Sequence, residues 1–578
     1  MAQSSILTRL SGRRHGNPKD KARPVARETS WRRSSLASLK RRIRRGHKPP
    51  SPSPKADAAI AQAVSSHDEP IECPYERPIE IIRQEEYSHM NNGTYLDHGG
   101  TTIYARSTVE RFAQKMLTGL YGNPHSANEP AKFSGDMVDA VRLKALHFLG
   151  ADPAHFDLIF TANATAAIKL VADAFRDLAE QTAAKSFWYG YHRDAHTSLV
   201  GIRELTTPSN AHVFPSNAAV ESWLANPASP DQPPRTATLG LFAYPAQSNL
   251  TGRRAPLSWP AQLRHHPESQ SQPQHRHNTY TLLDAAAFAM TAPLGPVFAR
   301  PAAAPDFVSV AFYKILGFPD LGGLVVRRAT AHVLALRRYF GGGTVTMVGT
   351  VGGAWHLRRG LSGGGGGGGE GGYRLHEGLE DGTLPFHAIL ALGEAMEVHG
   401  ALFGGMGNVS AYTARLARRL YRGVAGLRYG NGQVLCRVYG DGDGDGDGGP
   451  AYAYGDATRQ GPTLAFNVFR ADGAYVSYAE VERLANEKGV YVRSGGVCCP
   501  GGVYTALQYE PWQLNRARSA GHDCGPNGLS VIHQLPTGVV RASLGAMSTV
   551  QDVDTFVTFL RETFIETEGH EDKHGGWT

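Results

Sequence analysis

Short apolar runs rich in β-branched and aromatic residues recur along the middle of this chain, and helical spacing fills the intervals. LIFTA at 158–162 precedes a helical pattern from Ala164 to Glu180. ATLGLFAYP at 237–245, YTLLDAAA at 280–287, DFVSVAFYK at 306–314 and GGLVVRR at 322–328 read as further strands. These runs are continuously apolar, as strands covered on both faces require, so they predict an α/β domain with a mainly parallel sheet. The pattern begins near Tyr95. Past about residue 385 it changes: HAILALGEAMEVHGAL reads as a long helix, and the remainder mixes strands and helices as in a smaller α+β domain. The expected organisation is a basic tail over 1–70, a large α/β domain over 71–390 whose N-terminal segment packs toward the small domain, a small α+β domain over 391–568 and a tail over 569–578.

Charge changes the picture at the N-terminus. Residues 1–55 hold sixteen Lys and Arg against two acids, a net of +14, whereas the whole chain carries +7, so the body is acidic at −7. The first 70 residues are rich in Arg, Ser and Pro and cannot bury enough apolar surface to offset ordering entropy, so disorder is expected there. KRRIRRGHK at 40–48 fits a nuclear-localisation or nucleic-acid patch, and the Arg richness also fits a mitochondrial presequence; a solvated tail is the plainer reading. Nucleic acid is not an expected partner of the body.

The five cysteines show no CxxC pair or even ladder of spacings. That favours a reducing compartment, and the expected location is cytoplasmic, with the mitochondrion or nucleus as alternatives through the tail. A membrane span is not expected, since no apolar run approaches about 18 residues. Low-complexity insertions interrupt the pattern at 229–235, 265–277, Gly363–Gly369 and 441–448. The His-rich second one suits a surface loop better than a metal site. The Asp-Gly repeat lacks the closing Glu of a calcium loop and reads as a flexible connection.

Candidate chemistry gathers at strand ends. Lys314 directly follows an apolar strand and precedes a Gly-bearing loop, a position from which a desolvated amine can act as a nucleophile. Asp284 ends YTLL, where a carboxylate points into the crevice at the C-terminal edge of an α/β sheet. Pyridoxal phosphate needs such a pair, a lysine for its aldehyde and an acid for its pyridine nitrogen. FTANATAAIKLVADAF at 160–175 ends a strand and opens a helix, an anion site by its amides and dipole, although Asn163 or Thr165 also suits a plain N-cap. His196 is either a structural histidine or a ring that stacks on a flat cofactor.

These residues occur in the order and spacing of class V aminotransferase-like, fold-type I pyridoxal-phosphate enzymes, and the chain resembles the cysteine-desulfurase region of the molybdenum cofactor sulfurases. The stretches that carry the resemblance include TYLDHGGTTIYA at 94–105, YGNPHSAN at 121–128, HTSLVGIRE at 196–204, LLDAAAFAMTAPL at 282–294 and FYKILGFPDLGGLVV at 312–326. They continue with YFGGGTV at 339–345, LEDGTLPF at 379–386, RSGGVCC at 493–499, AGHDCGPNG at 520–528 and LPTGVVRASLGAMST at 535–549.

The resemblance implies that Lys314 forms the Schiff base and shuttles the substrate α-proton, Asp284 partners the pyridinium and His196 stacks on the ring. Ala164 and Thr165 would bind phosphate. Asn249 would lie near the cofactor oxygen and the substrate carboxylate, and Arg541 would clamp that carboxylate with its planar guanidinium. Thr383 would reach the phosphate of a neighbouring subunit, implying a homodimer. RSGGVC at 493–498 fits the R-x-G-x-x-C pattern of desulfurases. Cys498 would therefore take sulfur from L-cysteine as a persulfide, releasing L-alanine, and should sit on a mobile, exposed loop near positive charge. Cys499 is a relay thiol or a passenger.

Departures from the family pattern are Gly496, Cys499 and Val503 around the thiol, Ala287 where bacterial desulfurases use Gln, and Ala311 for a Ser near the phosphate. Full-length molybdenum cofactor sulfurases continue into a C-terminal β-rich MOSC domain. The expectation is that this acceptor domain is missing here or lies on another polypeptide, with molybdenum cofactor or a molybdoenzyme as acceptor. The alternatives are another class V aminotransferase or lyase, and a non-catalytic homologue of the fold.

Overall fold

A computed structural model of the chain describes residues 71–181, 185–225, 239–264, 279–359, 374–440, 453–522, 528–532 and 534–566. They all belong to one compact unit, Pro54–Thr578. The expectations placed on the basic tail, on the four low-complexity insertions and on Cys524 lie outside the described residues.

Helical structure precedes the point where the strand pattern becomes visible. Helix α1 (Ile79–Glu86) precedes α2 (Arg106–Thr118) and α3 (Glu129–Leu149). Strand β1 (Phe156–Thr161) leads into α4 (Ala164–Ala179), followed by β2 (Trp188–His192), β3 (Ala211–Phe214), β4 (Gly240–Pro245), β5 (Thr279–Asp284) and β6 (Phe307–Ala311). A one-turn helix, α5 (Phe312–Leu316), carries the chain from β6 towards β7 (Gly322–Arg327). Lys314 therefore stands on a helical turn, one step removed from the strand that the sequence pattern ran up to it.

The seven strands form one sheet in the order β1-β7-β6-β5-β4-β2-β3. The pairings from β6 through β5, β4 and β2 to β3 are parallel, and β7 runs antiparallel to both β6 and β1. WYGYH at 188–192 and AHVF at 211–214 were not anticipated as strands. Gly190 and His212 break their apolar runs, and only the parallel pairing of β2 to β4 and of β3 to β2 identifies them.

Alternate residues enter two cores. Leu282, Phe307 and Leu324 pack with Ile168, Val171 and Phe175 of α4 on one face. Leu283, Val308 and Val325 pack with Val138, Val141 and Ala145 of α3 on the other. Both faces are thus covered, which is why the strands are apolar throughout.

Beyond the sheet, α6 (Phe386–Phe403) and α7 (Met406–Gly426) precede β8 (Cys436–Tyr439), β9 (Thr463–Val468), α8 (Tyr478–Glu487), β10 (Arg493–Gly495), α9 (Pro500–Ala506), β11 (Val539–Ser543) and α10 (Val550–Arg561). Four of these strands form a second, antiparallel sheet in the order β8-β9-β11-β10. Its core includes Tyr75, Ile79 and Ile82 from the N-terminal segment, buried with Leu464, Phe466, Val540 and Phe556. The strand and helix pattern visible in the sequence begins near Tyr95, whereas this segment is packed from Tyr75 onward. The amphipathic α1 is too short and too charged to stand out, and it is ordered by this distant core. None of the helices among the described residues is long and apolar enough to cross a membrane.

Candidate active site

The parallel strands β2, β4, β5 and β6 deliver their C-terminal ends to one edge of the sheet, the edge where such folds bind ligands. Asp284 is the last residue of β5. It is buried, and its Oδ1 accepts from the Ala286 amide at 3.1 Å and from Ser309 Oγ at 3.3 Å. Lys314 follows β6 on α5 with a half-buried side chain. Desolvation, together with the positive charges of Arg541 and Arg493, pushes its amine down to about 8, against the opposing pull of Asp284 and Asp97.

The turn at 161–165 is a helix N-terminus. Asn163 is its cap, accepting the Ala166 amide at 2.9 Å, which settles the choice between Asn163 and Thr165. The amides of Ala164 and Thr165 have no acceptor within the helix, as at any α-helix start. A Cβ on Gly322 would lie 2.3 Å from the Asn163 carbonyl carbon, so only glycine lets β7 approach this turn. Ala164, Ala286 and Ala311 cluster there with Tyr313 against them. Thr165 Oγ1 reaches Ser198 Oγ at 2.8 Å.

His196 caps the short helix that follows β2. Its Nδ1 accepts the Ser198 amide at 3.1 Å, which leaves the ring proton of a neutral imidazole on Nε2. A hydrogen bond from His196 is the largest influence on Cys498. With the charges of Arg493 and Lys314 it outweighs desolvation and brings the thiol down to about 7. Arg493 Nη2 lies 3.5 Å from Cys498 Sγ.

The Cys498 loop is held inward and half-buried, where an exposed, mobile loop was expected. Three hydrogen bonds account for this. The Thr197 amide donates to the Cys498 carbonyl at 3.0 Å, Asn249 Nδ2 donates to the Val497 carbonyl at 2.7 Å, and the Cys499 thiol donates to the Asp194 carbonyl at 3.3 Å. Val497 and Cys498 both take left-handed backbone angles, with φ of 40° and 55°. Neither is glycine, so the conformation is strained and these contacts hold it. Cys499 is fully buried and its thiol is pushed up, the setting of a packing anchor.

Arg541, on β11, is wholly buried. Its Nη1 donates to the Asn249 carbonyl and Oδ1, both at 3.1 Å, and its Nη2 meets Asp97 Oδ1 at 2.8 Å. Sequence reasoning quoted Asp97 only as part of a motif. A carboxylate that ends a short apolar run, one residue before two glycines, was the available signal. Arg493 faces Arg541 across the β10–β11 pair. Thr383 stands apart: it is exposed, and its Oγ1 accepts from Asn123 Nδ2 at 3.3 Å.

Lys314, Asp284, His196, Asn249, Arg541 and Cys498 thus converge by direct contacts or electrostatic influence. A basic amine of lowered affinity for protons, a thiol near neutrality and a buried guanidinium suit acid–base and nucleophilic chemistry on a substrate carrying a carboxylate.

Residues 94–431 match the aminotransferase class-V family. A molybdenum cofactor sulfurase of Aspergillus niger is 45% identical over 496 residues, covering 86% of this chain and 55% of that protein. One of Neurospora crassa is 46% identical over 492 residues, covering 85% and 48%. The chain spans about half the length of the curated relatives it matches. Among solved structures, an apo cysteine desulfurase of Thermococcus onnurineus superposes with a TM-score of 0.59 at 16% identity, over 86% of this chain and 99% of that one. A cysteine desulfurase of Escherichia coli gives 0.57 at 19% identity, over 85% and 100%. These two establish likeness of fold.

Proposed function

This chain belongs to the aminotransferase class-V family, and on that footing we propose that it is a pyridoxal-phosphate-dependent cysteine desulfurase that converts L-cysteine to L-alanine and leaves a persulfide on Cys498. The observation that carries the reading is the placement of Cys498, whose Sγ lies 3.5 Å from Arg493 Nη2 on a loop bonded to Thr197, where His196, Arg493 and Lys314 lower its thiol to about 7. A transamination has no use for a nucleophilic sulfur at that place.

The residues present fit the cofactor. Lys314 is the amine for its aldehyde, and Asp284, anchored by Ser309 and Ala286, is the carboxylate for its pyridine nitrogen. The uncapped amides of Ala164 and Thr165 suit its phosphate. The Ala164, Ala286 and Ala311 cluster, with glycine at 322, leaves the small side chains a flat ring needs beside it. His196 would cover the ring. The bound cofactor supplies an electron sink that weakens bonds around the substrate α-carbon.

Arg541 and Asn249 would hold the substrate carboxylate. Lys314, with its amine at about 8, can take and return the α-proton near neutral pH. The Cys498 thiolate attacks the substrate sulfur. A sulfur–sulfur bond forms, the substrate carbon–sulfur bond breaks, and the electron pair stays with carbon, which is protonated to give alanine.

Thr383, exposed beside Asn123, is the residue that would reach the phosphate of a second copy in a homodimer. The names of the curated relatives suggest molybdenum cofactor, or a molybdoenzyme carrying it, as the sulfur acceptor.

The test is alanine and persulfide release from L-cysteine by wild type and by Cys498→Ala, alongside the visible absorbance of the holoprotein. Cysteine-dependent alanine formation that is lost in Cys498→Ala, with the cofactor band intact, is the expected result. A cofactor band with turnover indifferent to Cys498 would favour a class V aminotransferase or lyase. No band after reconstitution would favour a non-catalytic homologue.

A further inference from the structure

Arg541 is occluded from solvent in the substrate-free chain. Its side chain is 1% exposed, while that of its ion-pair partner Asp97 is 25% exposed. Asn249 holds Nη1 from one side, Asp97 holds Nη2, and Nε has no partner among the described residues. An incoming carboxylate must therefore displace one of the two neighbours.

Charge decides which. Displacing the neutral Asn249 would put two carboxylates on one guanidinium, and their repulsion is little screened in a buried site. It would also free the Asn249 amide that grips the Val497 carbonyl. Replacing Asp97 leaves the charge count unchanged, and the departing carboxylate is the one already part-way in water.

The backbone around Asp97 is fixed. The Leu96 amide bonds to the Tyr491 carbonyl at 2.8 Å, the Ser543 amide to the Leu96 carbonyl at 2.7 Å, and the Gly99 amide to Ser543 Oγ at 2.8 Å. Added Cβ atoms on Gly99 and Gly100 would lie 2.8 Å from Arg541 Nη2 and 2.6 Å from Asp97 Oδ2, so the glycine turn is wrapped closely over this pair. Asp97 can leave only by side-chain rotation.

We propose that Asp97 is a resident carboxylate on Arg541 which the substrate carboxylate replaces by exchange, so that Asp97 sets how tightly the site holds an amino acid. The proposal rests on the reading of Arg541 as the substrate clamp. It makes Asp97 a determinant of specificity: amino acids compete with it, and amines without a carboxylate do not.

The experiment compares binding of L-alanine and of L-alaninamide, which lacks the carboxylate, to wild-type and Asp97→Asn holoprotein. L-alanine is expected to bind Asp97→Asn about tenfold tighter, equivalent to ~1.4 kcal/mol, with alaninamide unchanged. Weaker alanine binding would make Asp97 an orienter of Arg541 and overturn the exchange, as would equal tightening of both ligands. A second measurement needs no variant: a crystal structure of the wild type with L-alanine. The expected result is the alanine carboxylate on Arg541 Nη2 with Asp97 rotated away. An intact Asp97–Arg541 contact would overturn the proposal. Tighter alanine binding by Asp97→Asn in a protein that never forms a persulfide on Cys498 would sink the desulfurase reading and leave the exchange standing.

Discussion

The Cys498 thiol lies at about 7 instead of its ordinary 9.0 because His196 donates to it and Arg493 and Lys314 place positive charge near it. A depressed acid is ionised in the folded chain at pH values where the unfolded chain keeps it protonated. The associated stability is therefore complete above about pH 9 and is lost as pH falls through about 7. The same ionisation sets reactivity. Alkylation of Cys498 by iodoacetamide, followed by peptide mass spectrometry, is expected to reach half its maximal rate near pH 7. Replacing His196 by Ala should move that midpoint upward. Cys436 and Cys499, both buried and pushed up, should stay unlabelled through this range. A midpoint that ignores His196 would show that the histidine does not govern the thiol.

At the scale of elements, the Thr383 loop is tied to the sheet by a buried ion pair. Arg142 of α3 meets Glu380 through two contacts, at 2.6 and 2.9 Å, and also donates to the Leu158 carbonyl of β1. Glu380 accepts the Phe160 amide at 2.7 Å, and the guanidinium lies 4.7 Å over the Phe160 ring. One cluster thus fixes α3, β1 and the loop after Leu379, at the strand that feeds the α4 N-terminus. Both side chains are 5% exposed, so removing one leaves a buried charge without its partner. Arg142→Met is expected to cost about 3–5 kcal/mol in denaturant unfolding, and adding Glu380→Met should recover much of the loss. If the double variant is no better than the single one, the pair is not the source of the stability.

For the whole molecule, large apolar side chains stand exposed from the end of α2 into α3, on the segment that carries Asn123, the partner of Thr383. Leu117 and Leu120 are 83% and 75% exposed and Phe133 is half exposed, while Tyr121 packs at 5.4 Å against Phe133 and Asn123 bonds Thr383. Exposed apolar side chains on the segment that carries Asn123 are what a dimer interface would cover. Sedimentation of the holoprotein should therefore give twice the chain mass. Leu117→Glu combined with Leu120→Glu should yield monomers that lose cofactor more readily, because Thr383 no longer reaches its neighbour. A monomeric wild type that keeps its cofactor would remove Thr383 from the site.

Five apolar runs and the helices at 164–179 and 386–403 were legible in the amino-acid order, and so were Lys314, Asp284 and Cys498 as candidate chemistry. Each is written locally, as a strand covered on both faces, an apolar helix or a motif of fixed spacing. The interrupted strands at 188–192 and 211–214, the helical form of α1 and the helical turn under Lys314 were not, because pairing and packing partners far along the chain decide them. The same holds for the chemistry. Residue type made Cys498 a candidate nucleophile, but its affinity for protons depends on His196, about 300 residues earlier in sequence. The family resemblance proposes Arg541 as a carboxylate clamp, while the carboxylate seated on it in the structure, Asp97, belongs to the opposite end of the folded chain. Local pattern determines which elements and functional groups exist. Desolvation, charge pairing and loop strain arise only when distant segments meet, and those were left to the tertiary structure.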